Sequence, residues 1–418
     1  MAAKLATSKQ VKEALAVGNV HKLLGDILAQ EVGGLLCESN QEFISTGLKT
    51  LDFVLGGGFP VGQYTLIVGH PGSAKSTLVC RACHELEKTF NEKAFSIYID
   101  TEQSMSLDRL NQLGVKKVSL VTGVSIEQVF AYMSKIANFK DQSGLADIPN
   151  IFVWDTCANT MSNKELTKTE DPNSSLGWKA RLLSFWIPKM LPTIFRSKIT
   201  VIIVNQLRDK IESGFAGAPT DLKYLSHSKN IPGGNALKFN AFTLMELKDR
   251  GKVPDTFGFP GAIVEVKTVK CKAFPSNVKL KVVLDFRSGF SDFWSQVLFL
   301  KDNNVLGGTG ASTYLKDYPD MRTKLRYLEK NYIEDEKFRK AFDETMDKTL
   351  DEVFSQVKQY IITPTTTKKK DKNEEEQELL DDDMPSDVDA LTKDVPDALK
   401  PQAKDESETK ENKQDMPF

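Results

Sequence analysis

One stretch of the sequence decides the fold: Tyr64-Thr-Leu-Ile-Val-Gly-His-Pro-Gly-Ser-Ala-Lys-Ser-Thr77. Its first residues, Tyr64–Val68, are rich in apolar and β-branched side chains and predict a buried strand. Its last residues begin an amphipathic pattern over Lys75–Phe90, which predicts a helix. In a strand–loop–helix unit of this kind, backbone N–H groups bind phosphate at the positive end of the helix. The stretch therefore predicts a nucleotide-binding phosphate loop over Gly69–Thr77.

The residues of this phosphate loop have separate expected roles. Lys75 is placed to reach the terminal phosphates of ATP, and the hydroxyl of Ser76 to bind Mg²⁺. Ala74 stands where glycine is usual, so its backbone either has ordinary angles or carries modest strain in a left-handed conformation. The expected contacts of ATP in the loop are Gly69, His70, Pro71, Gly72, Ser73, Ala74, Lys75, Ser76 and Thr77.

Polar residues follow three further apolar runs. Asp100 and Glu102 end one run, Asp155 ends a second, and Asn205-Gln206 ends a third. Parallel sheets collect ligands at the carboxyl ends of their strands. An acid there often holds a water bound to Mg²⁺ in phosphate-loop enzymes, although such acids also cap helices. We therefore expect Asp155 to contribute to a metal site and Gln206 to sense the terminal phosphate.

The pattern from residue 43 to about residue 300 alternates apolar runs with amphipathic stretches. The predicted strands are Tyr64–Val68, Ala94–Ile99, Ile151–Trp154, Ile199–Val204, Thr243–Leu247, Ala262–Val269 and Lys279–Leu284. The predicted helices are Lys75–Phe90, 125–138 and 177–195. This alternation is typical of an α/β fold with a mainly parallel central sheet that helices cover on both faces. A smaller mixed segment follows and ends near Ile362.

The net charge of −2 conceals a strong asymmetry. Residues 371–418 contain 17 acidic residues and 6 lysines, a charge of −11. The other 370 residues contain 49 basic and 40 acidic residues, a charge of +9. A basic body with an acidic tail is typical of a polyanion-binding protein that masks its own site, although such a tail also serves solubility alone.

Several protein classes are disfavoured by composition. The sequence has no run of 18 apolar residues and no amino-terminal secretion signal, so we expect neither a membrane span nor export. The five cysteines are scattered, and Cys80 and Cys83 fall within a predicted helix without a partner pair, which argues against a zinc site. We expect a reducing compartment.

Three stretches resemble the RecA family of recombinases. They are Ile44-Ser-Thr-Gly-Leu-Lys-Thr-Leu-Asp-Phe-Val-Leu-Gly-Gly-Gly-Phe-Pro-Val-Gly62, Asn205-Gln-Leu-Arg-Asp-Lys-Ile211 and Gly233-Gly-Asn-Ala-Leu-Lys-Phe239. The divergent loops and the charged tail are most similar to phage recombinases of the UvsX type. The resemblance covers a RecA-like ATPase and DNA-binding core (43–300). Around this core we expect an amino-terminal helical oligomerisation segment (1–42), a small carboxyl-terminal segment (301–362) and, from its dense charge and few aromatic residues, a disordered acidic tail (363–418).

The resemblance also assigns roles at the ATP site. Glu102 matches the general base that orients the attacking water, and Gln206 matches the residue that couples the γ-phosphate to a DNA-binding loop. Lys270 and Lys272 match two lysines that reach the ATP of a neighbouring subunit across a filament interface, in which Lys238 and Phe239 also lie. Arg109, with Ser106, occupies a position that flanks adenine in the family.

Two DNA-binding loops are implied. The first loop covers about 161–175, and the second loop covers 207–232; both follow from the resemblance. The second is rich in basic and aromatic residues, which suits single-stranded nucleic acid. Pro188 replaces a family arginine and is expected to kink or end the helix beside the first loop. The implied DNA contacts are Arg181, Ser184, Arg208, Lys210, Gly233, Gly234 and Asn235.

The function that the resemblance implies is ATP-dependent homologous pairing and strand exchange, in recombination, repair and replication. The expected cofactors are ATP and Mg²⁺, and hydrolysis yields ADP or AMP. The expected partners are single-stranded and double-stranded DNA, further copies of the chain in a helical filament, and a single-strand-binding or mediator protein, in a bacterial or phage-infected host cytoplasm. The alternatives are a recombination mediator of the same fold and a hexameric helicase-type ATPase.

Overall fold

The fold is that of a computed structural model, which describes residues 41–90, 93–167, 177–209, 224–225 and 229–362. Several sequence-based predictions lie outside these residues. They are the amino-terminal helical segment apart from its last two residues, the tail 363–418, parts of the first and second loops, and Lys210.

The strands of the described residues are numbered in chain order. They are β1 (Phe43–Ile44), β2 (Phe59–Pro60), β3 (Tyr64–Gly69), β4 (Ser96–Asp100), β5 (Val118–Thr122), β6 (Asn150–Asp155), β7 (Ile199–Gln206), β8 (Arg208–Asp209), β9 (Lys229–Asn230), β10 (Thr243–Lys252), β11 (Gly261–Cys271), β12 (Lys279–Asp285), β13 (Gly289–Ser291), β14 (Leu306–Thr309), β15 (Ser312–Leu315) and β16 (Tyr318–Thr323).

The α-helices of the same residues are numbered in the same way. They are α1 (Lys49–Leu55), α2 (Lys75–Phe90), α3 (Leu107–Gln112), α4 (Ile126–Gln142), α5 (Asn163–Thr167), α6 (Trp178–Arg196), α7 (Asn235–Phe239), α8 (Asp292–Asp302), α9 (Leu328–Glu334) and α10 (Glu336–Ile362).

The central sheet has the order β13-β12-β11-β10-β3-β7-β6-β4-β5. Strands β10, β3, β7, β6, β4 and β5 run parallel, and the other three continue the sheet in antiparallel fashion. This confirms the predicted α/β class with a mostly parallel sheet. The sequence pattern missed β5, because this edge strand has few buried residues and contains Ser119 and Thr122.

Side chains alternate between two hydrophobic cores, one on each face of the sheet. In β6, Ile151 and Val153 belong to one core, whereas Phe152 and Trp154 belong to the other. Successive residues of a strand point to opposite faces, so a strand covered on both sides must be apolar throughout. Helix α2 covers the first face, and α4 and α6 cover the second.

The carboxyl-terminal described region adds a three-stranded antiparallel sheet, β14-β15-β16, and the helices α9 and α10. Phe342 and Met346 of α10 are buried in the same core as Val282 of β12. The boundary predicted at residue 300 falls inside helix α8.

Helix α6 runs through both Pro188 and Pro192; of the two effects expected of Pro188, a kink or an end of the helix, the end is therefore wrong. A proline removes one intrahelical hydrogen bond and frees the carbonyl four residues earlier. Both prolines lie on the exposed side of α6, where water can satisfy the freed carbonyls. The opposite side keeps the helix in place through the buried residues Leu183, Ile187, Met190 and Ile194.

Among the described residues, every helix is too short or too polar to cross a lipid bilayer.

In the segment before the phosphate loop, the Asp52 carboxyl group lies in surroundings that disfavour its ionised form. Asp52 accepts a hydrogen bond from the Ser45 hydroxyl at 2.5 Å and another from the Thr46 N–H at 2.7 Å. Burial is the largest influence and raises the pKa of Asp52 from 3.8 to about 6. Because burial disfavours the charged form, the protonated form of Asp52 stabilises the fold more than the ionised form does.

We predict a pH-dependent difference between the wild type and Asp52→Asn. Because the pKa of Asp52 is higher in the folded than in the unfolded state, its contribution to the free energy of unfolding is fully present at a pH below the pKa of the unfolded state. That contribution is lost as the pH rises through about 6. The free energy of unfolding of the wild type relative to the variant should therefore fall by at most about 3 kcal/mol across this window. Urea unfolding at a series of pH values measures it, and a difference independent of pH would contradict the desolvated site.

Candidate functional site

A cavity of about 360 Å³ opens at the carboxyl edge of the parallel strands. Its size falls within the usual range for small-molecule sites, about 300–1,000 Å³. The residues that line it are Pro71, Gly72, Ala74, Lys75, Ser76, Thr77, Glu102, Asp155, Thr156, Val204, Gln206 and Leu284. It therefore brings together the phosphate loop and the polar ends of β4, β6 and β7.

The phosphate loop takes its shape from positions without room for a side chain or with a left-handed backbone. A Cβ on Gly69 would lie 2.5 Å from the Leu247 carbonyl oxygen, so only glycine fits there. Gly72 has a φ of 78°, and Ala74 has a φ of 62°. The left-handed alternative considered for Ala74 is therefore the one observed, and its methyl group carries the strain that a glycine there avoids.

The ammonium group of Lys75 lies against its own loop. It donates to the carbonyl oxygens of His70 at 2.8 Å and Gly69 at 3.2 Å, and lies 3.4 Å from the Ser73 hydroxyl. Burial lowers the pKa of Lys75, whereas Asp155 and Glu102 oppose the shift. His70 and Ser73 thus shape the loop from outside the cavity, while Lys75 is positioned at its wall.

Asp155 is the centre of a buried oxygen cluster. Its Oδ2 accepts from the Ser76 hydroxyl at 2.5 Å and from the Tyr98 hydroxyl at 2.6 Å. Burial raises the pKa of Asp155, and these two donors oppose the shift. Ser76 and Asp155 together offer the hard oxygen ligands that Mg²⁺ prefers. The residues therefore fit a magnesium ion. Tyr98, which no sequence pattern indicated, helps to hold the Asp155 carboxylate in place through its hydrogen bond.

Glu102 is held by two amides. Its Oε1 accepts from Gln206 Nε2 at 2.6 Å and from Asn159 Nδ2 at 3.0 Å. Partial desolvation raises the pKa of Glu102, and the carboxylate of Asp155 adds to the shift. A carboxylate with a raised pKa is a stronger base. The structure thus brings Glu102 and Gln206, both expected at the carboxyl edge of the sheet, into direct contact, and adds Asn159, for which the sequence held no signal.

Asp100, the other acid that the sequence places at this edge, has a structural position. It is fully buried and accepts hydrogen bonds from the N–H groups of Glu102 at 3.1 Å and Met105 at 2.8 Å. It therefore shapes the turn that presents Glu102 and does not line the cavity.

The end of β7 is tied to the end of the second loop. Asn205 is buried, and its Nδ2 donates to the Pro232 carbonyl oxygen at 2.7 Å. Three residues further on, Arg208 pairs with Asn230 in a short antiparallel ladder, and its side chain is exposed. Gln206 is therefore linked by the chain itself to the predicted DNA contact Arg208.

The Gly-Gly pair after the second loop packs closely against helix α6. A Cβ on Gly234 would lie 2.8 Å from the Ala180 Cβ, and one on Gly233 would lie 3.0 Å from Leu183. Both glycines also have positive φ, 107° at Gly233 and 81° at Gly234. These positions therefore bring the root of the second loop to the start of α6.

The predicted contacts Arg181 and Ser184 are exposed on one side of helix α6, and Asn235 is exposed at the start of α7. Phe185 is beside them and is 60% exposed. Lys189 lies over its ring, 5.4 Å from the centroid. Basic and aromatic groups at this spacing form one helical stripe. Its members Phe185 and Lys189 were not among the residues predicted from the sequence.

The predicted interface residues lie near the amino end of β10, which is the edge of the sheet opposite the cavity. Lys270 donates to the Phe239 carbonyl oxygen, and the Lys272 ammonium lies 5.8 Å from the centre of the Phe242 ring. In the sheet, Lys270 lies opposite Leu244 of β10, which in turn lies opposite Leu66 of β3. Leu66 precedes Gly69 by three residues, so the main chain at Lys270 lies roughly 10 Å from the level of Gly69 along the strand direction. Lys238 is buried nearby, and Phe239 is 48% exposed. These residues do not reach the cavity of their own chain.

Arg109 does not line the cavity either. Its guanidinium group lies 3.5 Å from the side-chain oxygen of Gln112 on the same helix, α3. The adenine-flanking position that the resemblance gave to Arg109 therefore stays a prediction.

Comparisons with known proteins gave matches to one family. Residues 9–291 match the family model described as the RecA N-terminal domain. The chain is 30% identical over 285 residues to the protein RecA of Francisella tularensis subsp. novicida (strain U112), which covers 68% of this chain and 74% of that protein. The protein RecA of Francisella tularensis subsp. tularensis (strain SCHU S4 / Schu 4) gives the same identity and coverage.

We predict that position 74 tolerates glycine and rejects valine. Ala74→Val should lower the free energy of unfolding by about 1–3 kcal/mol, because a β-branched residue is strained in the left-handed region. Ala74→Gly should change it by less than about 1 kcal/mol, because relief of strain offsets the extra entropy of glycine. Urea unfolding of the two variants measures this order, and equal stability would contradict the left-handed backbone at residue 74.

Proposed function

Because the chain belongs to the RecA family, we propose that this recombinase-type ATPase forms helical filaments on single-stranded DNA and catalyses homologous pairing and strand exchange. The observation that carries the proposal is the 2.6 Å hydrogen bond between Gln206 and Glu102. It joins the expected base of ATP hydrolysis to the strand that leads into the second loop. Such a contact suits an enzyme whose hydrolysis responds to DNA.

The cavity residues support hydrolysis of a nucleoside triphosphate. The phosphate loop and Lys75 would bind the phosphates, and Ser76 and Asp155 would hold Mg²⁺, which neutralises charge on the phosphate oxygens. Glu102 would accept a proton from water as the water oxygen bonds to the terminal phosphorus and the bond to the leaving phosphate oxygen breaks. Its other carboxylate oxygen, Oε2, is the one that the two amides leave for this task.

The position of the two lysines supports an ATP site shared between subunits. Lys270 and Lys272 lie at the edge of the sheet opposite the cavity, so they can meet a bound nucleotide only on a neighbouring copy. The pKa of Lys270 is lowered mainly by partial burial and, to a smaller extent, by the positive charge of Lys272. The two ammonium groups therefore repel each other. A triphosphate from a neighbour would relieve this repulsion. Hydrolysis should therefore depend on assembly.

The basic face of α6 and Arg208 supports binding to the phosphate backbone of DNA, without reading its sequence. Both single-stranded and double-stranded DNA are partners in this proposal. The likeness to phage recombinases of the UvsX type, a role in replication, a mediator partner and a cytoplasmic location belong to the same proposal. Electron microscopy with single-stranded DNA and ATP, followed by a strand-exchange assay, tests the filament and its reaction directly.

We predict that two substitutions separate binding from hydrolysis. Lys75→Ala should abolish ATP binding or turnover, because it removes the cation that meets the phosphates. Glu102→Gln should keep filament formation and slow hydrolysis roughly 10²–10⁴-fold, since one positioned base contributes about that much. Lys88→Ala, an exposed lysine at the other end of α2, is the matched control. Phosphate release measures all three, and normal hydrolysis by Glu102→Gln would refute the assigned base.

We predict that two inactive variants complement each other. Lys75→Ala has intact lysines at its far edge, and the Lys270→Ala/Lys272→Ala variant has an intact phosphate loop. In mixed filaments some sites combine the intact half of each, so DNA-stimulated hydrolysis should partly return. Titrating one variant into the other measures this return. If the mixture stays as inactive as its components, the site is not shared between subunits.

A further inference from the structure

The carboxylate of Glu102 is restrained on one oxygen only. Gln206 Nε2 and Asn159 Nδ2 both donate to Oε1, at 2.6 Å and 3.0 Å. Two donors on one oxygen restrain the rotation of the carboxylate at the cavity wall, and neither of them contacts Oε2. Gln206 already has an expected role, whereas Asn159 has none.

Asn159 lies in a segment that helix α6 anchors. The Lys179 ammonium, in the first turn of α6, donates to the Ala158 carbonyl oxygen at 2.8 Å and lies 3.5 Å from the Cys157 carbonyl oxygen. Burial lowers the pKa of Lys179, and the positive charge of Arg208 contributes to the same direction. A half-buried ammonium that donates to main-chain carbonyls restrains its segment, because losing these bonds would leave a partly desolvated charge without these partners.

Two lines of contact therefore end on the same oxygen. One runs from Arg208 through Gln206. The other runs from the exposed residues Arg181 and Ser184 of α6 through Lys179 and the peptide of Ala158 to Asn159. Each line begins at a different group of predicted DNA contacts, so a nucleic acid that displaces either element would change the restraint on Glu102.

We propose that Asn159 is a positioning residue for the carboxylate of Glu102, and that it transmits the position of helix α6 to that carboxylate through Lys179. This inference rests on the function proposed above, since it concerns the regulation of the same site. Asn159 does not touch the reacting atoms. It acts by keeping Oε1 occupied and Oε2 free.

The electrostatic surroundings of Glu102 make this role measurable. The charged groups around it are Asp155 of β6 and Asp100 of β4, which favour its protonated form, and Lys75 of α2, which favours its ionised form. An amide N–H also favours the ionised carboxylate. Removal of the Asn159 amide should therefore raise the pKa of Glu102, and hydrolysis should be lost at a higher pH on the acidic side of the profile.

The first experiment measures kcat against pH for the full chain, with saturating ATP and Mg²⁺, without DNA and with an oligothymidylate. Asn159→Ala should lower kcat about tenfold, the effect of one charge-assisted hydrogen bond, and move the acidic limb to higher pH. Asn159→Asp keeps the shape of the side chain and replaces the donor by a negative charge, so it should move the limb further. Wild-type kcat and an unmoved limb in Asn159→Asp would overturn the proposal.

A second measurement does not depend on the stability of a single variant. Since both amides donate to one oxygen, the effects of Asn159→Ala and Gln206→Ala on kcat should not be additive in the double variant. Additive effects would mean that the two side chains act separately, and the proposal would be wrong.

The link to α6 is tested by Lys179→Met, which keeps the unbranched apolar chain and removes the donor. The ratio of DNA-stimulated to DNA-free hydrolysis should fall several-fold. Lys135→Met, an exposed lysine of α4 that does not line the cavity, is the control and should keep the wild-type ratio. An unchanged ratio in Lys179→Met would remove the link.

Failure of the two proposals can be told apart. If the wild-type chain hydrolyses ATP at one rate with and without DNA, the proposed recombinase function fails. The acidic limb of DNA-free hydrolysis still reports on Asn159 in that case. If DNA stimulates the wild type and Asn159→Asp alike, with the same acidic limb, only the role of Asn159 fails.

Discussion

Hydrogen bonding between parallel strands is the constraint on which the site depends. The registers of β3 with β7, β7 with β6 and β6 with β4 align Gly69 with Gln206, Asp155 with Val204, and Asp100 with Asp155. A shift of one residue in any pair would turn a polar strand end to the opposite face. The buried apolar residues on both sides of these strands hold the register, so the hydrophobic cores determine where the chemistry can take place.

The sequence predicted the parallel part of this architecture well. Strands that are buried on both faces are continuous apolar runs, and the glycines of the phosphate loop mark where β3 gives way to α2. It failed where exposure weakens the pattern. Strand β5 lies at the sheet edge with two of its five residues exposed and none fully buried. The continuation of α6 through Pro188 depends on which side of the helix meets water. Neither property can be read from residue types alone.

The candidate site divides in the same way. Lys75, Ser76, Glu102, Asp155 and Gln206 come together as the strand ends indicated. Tyr98 and Asn159 could not be predicted, because only the folded chain brings them to the site. Tyr98 reaches Asp155 from the middle of β4, and Asn159 reaches Glu102 from the turn after β6. Asp100 shows the converse. It lies at the carboxyl edge of the sheet, as expected, but its carboxylate oxygens accept hydrogen bonds from main-chain N–H groups and do not line the cavity. The roles assigned to the DNA contacts and the far-edge lysines stay predictions.

The missing side chain of Gly234 has a mechanical consequence. With no Cβ there, the main chain that closes the second loop rests directly on Ala180, and a methyl group would force the two apart. Because the two are in direct contact, a displacement of the main chain at Gly234 has to be accommodated at Ala180. A side chain at residue 234 would therefore have to move either the main chain that leads out of the second loop or the first turn of α6.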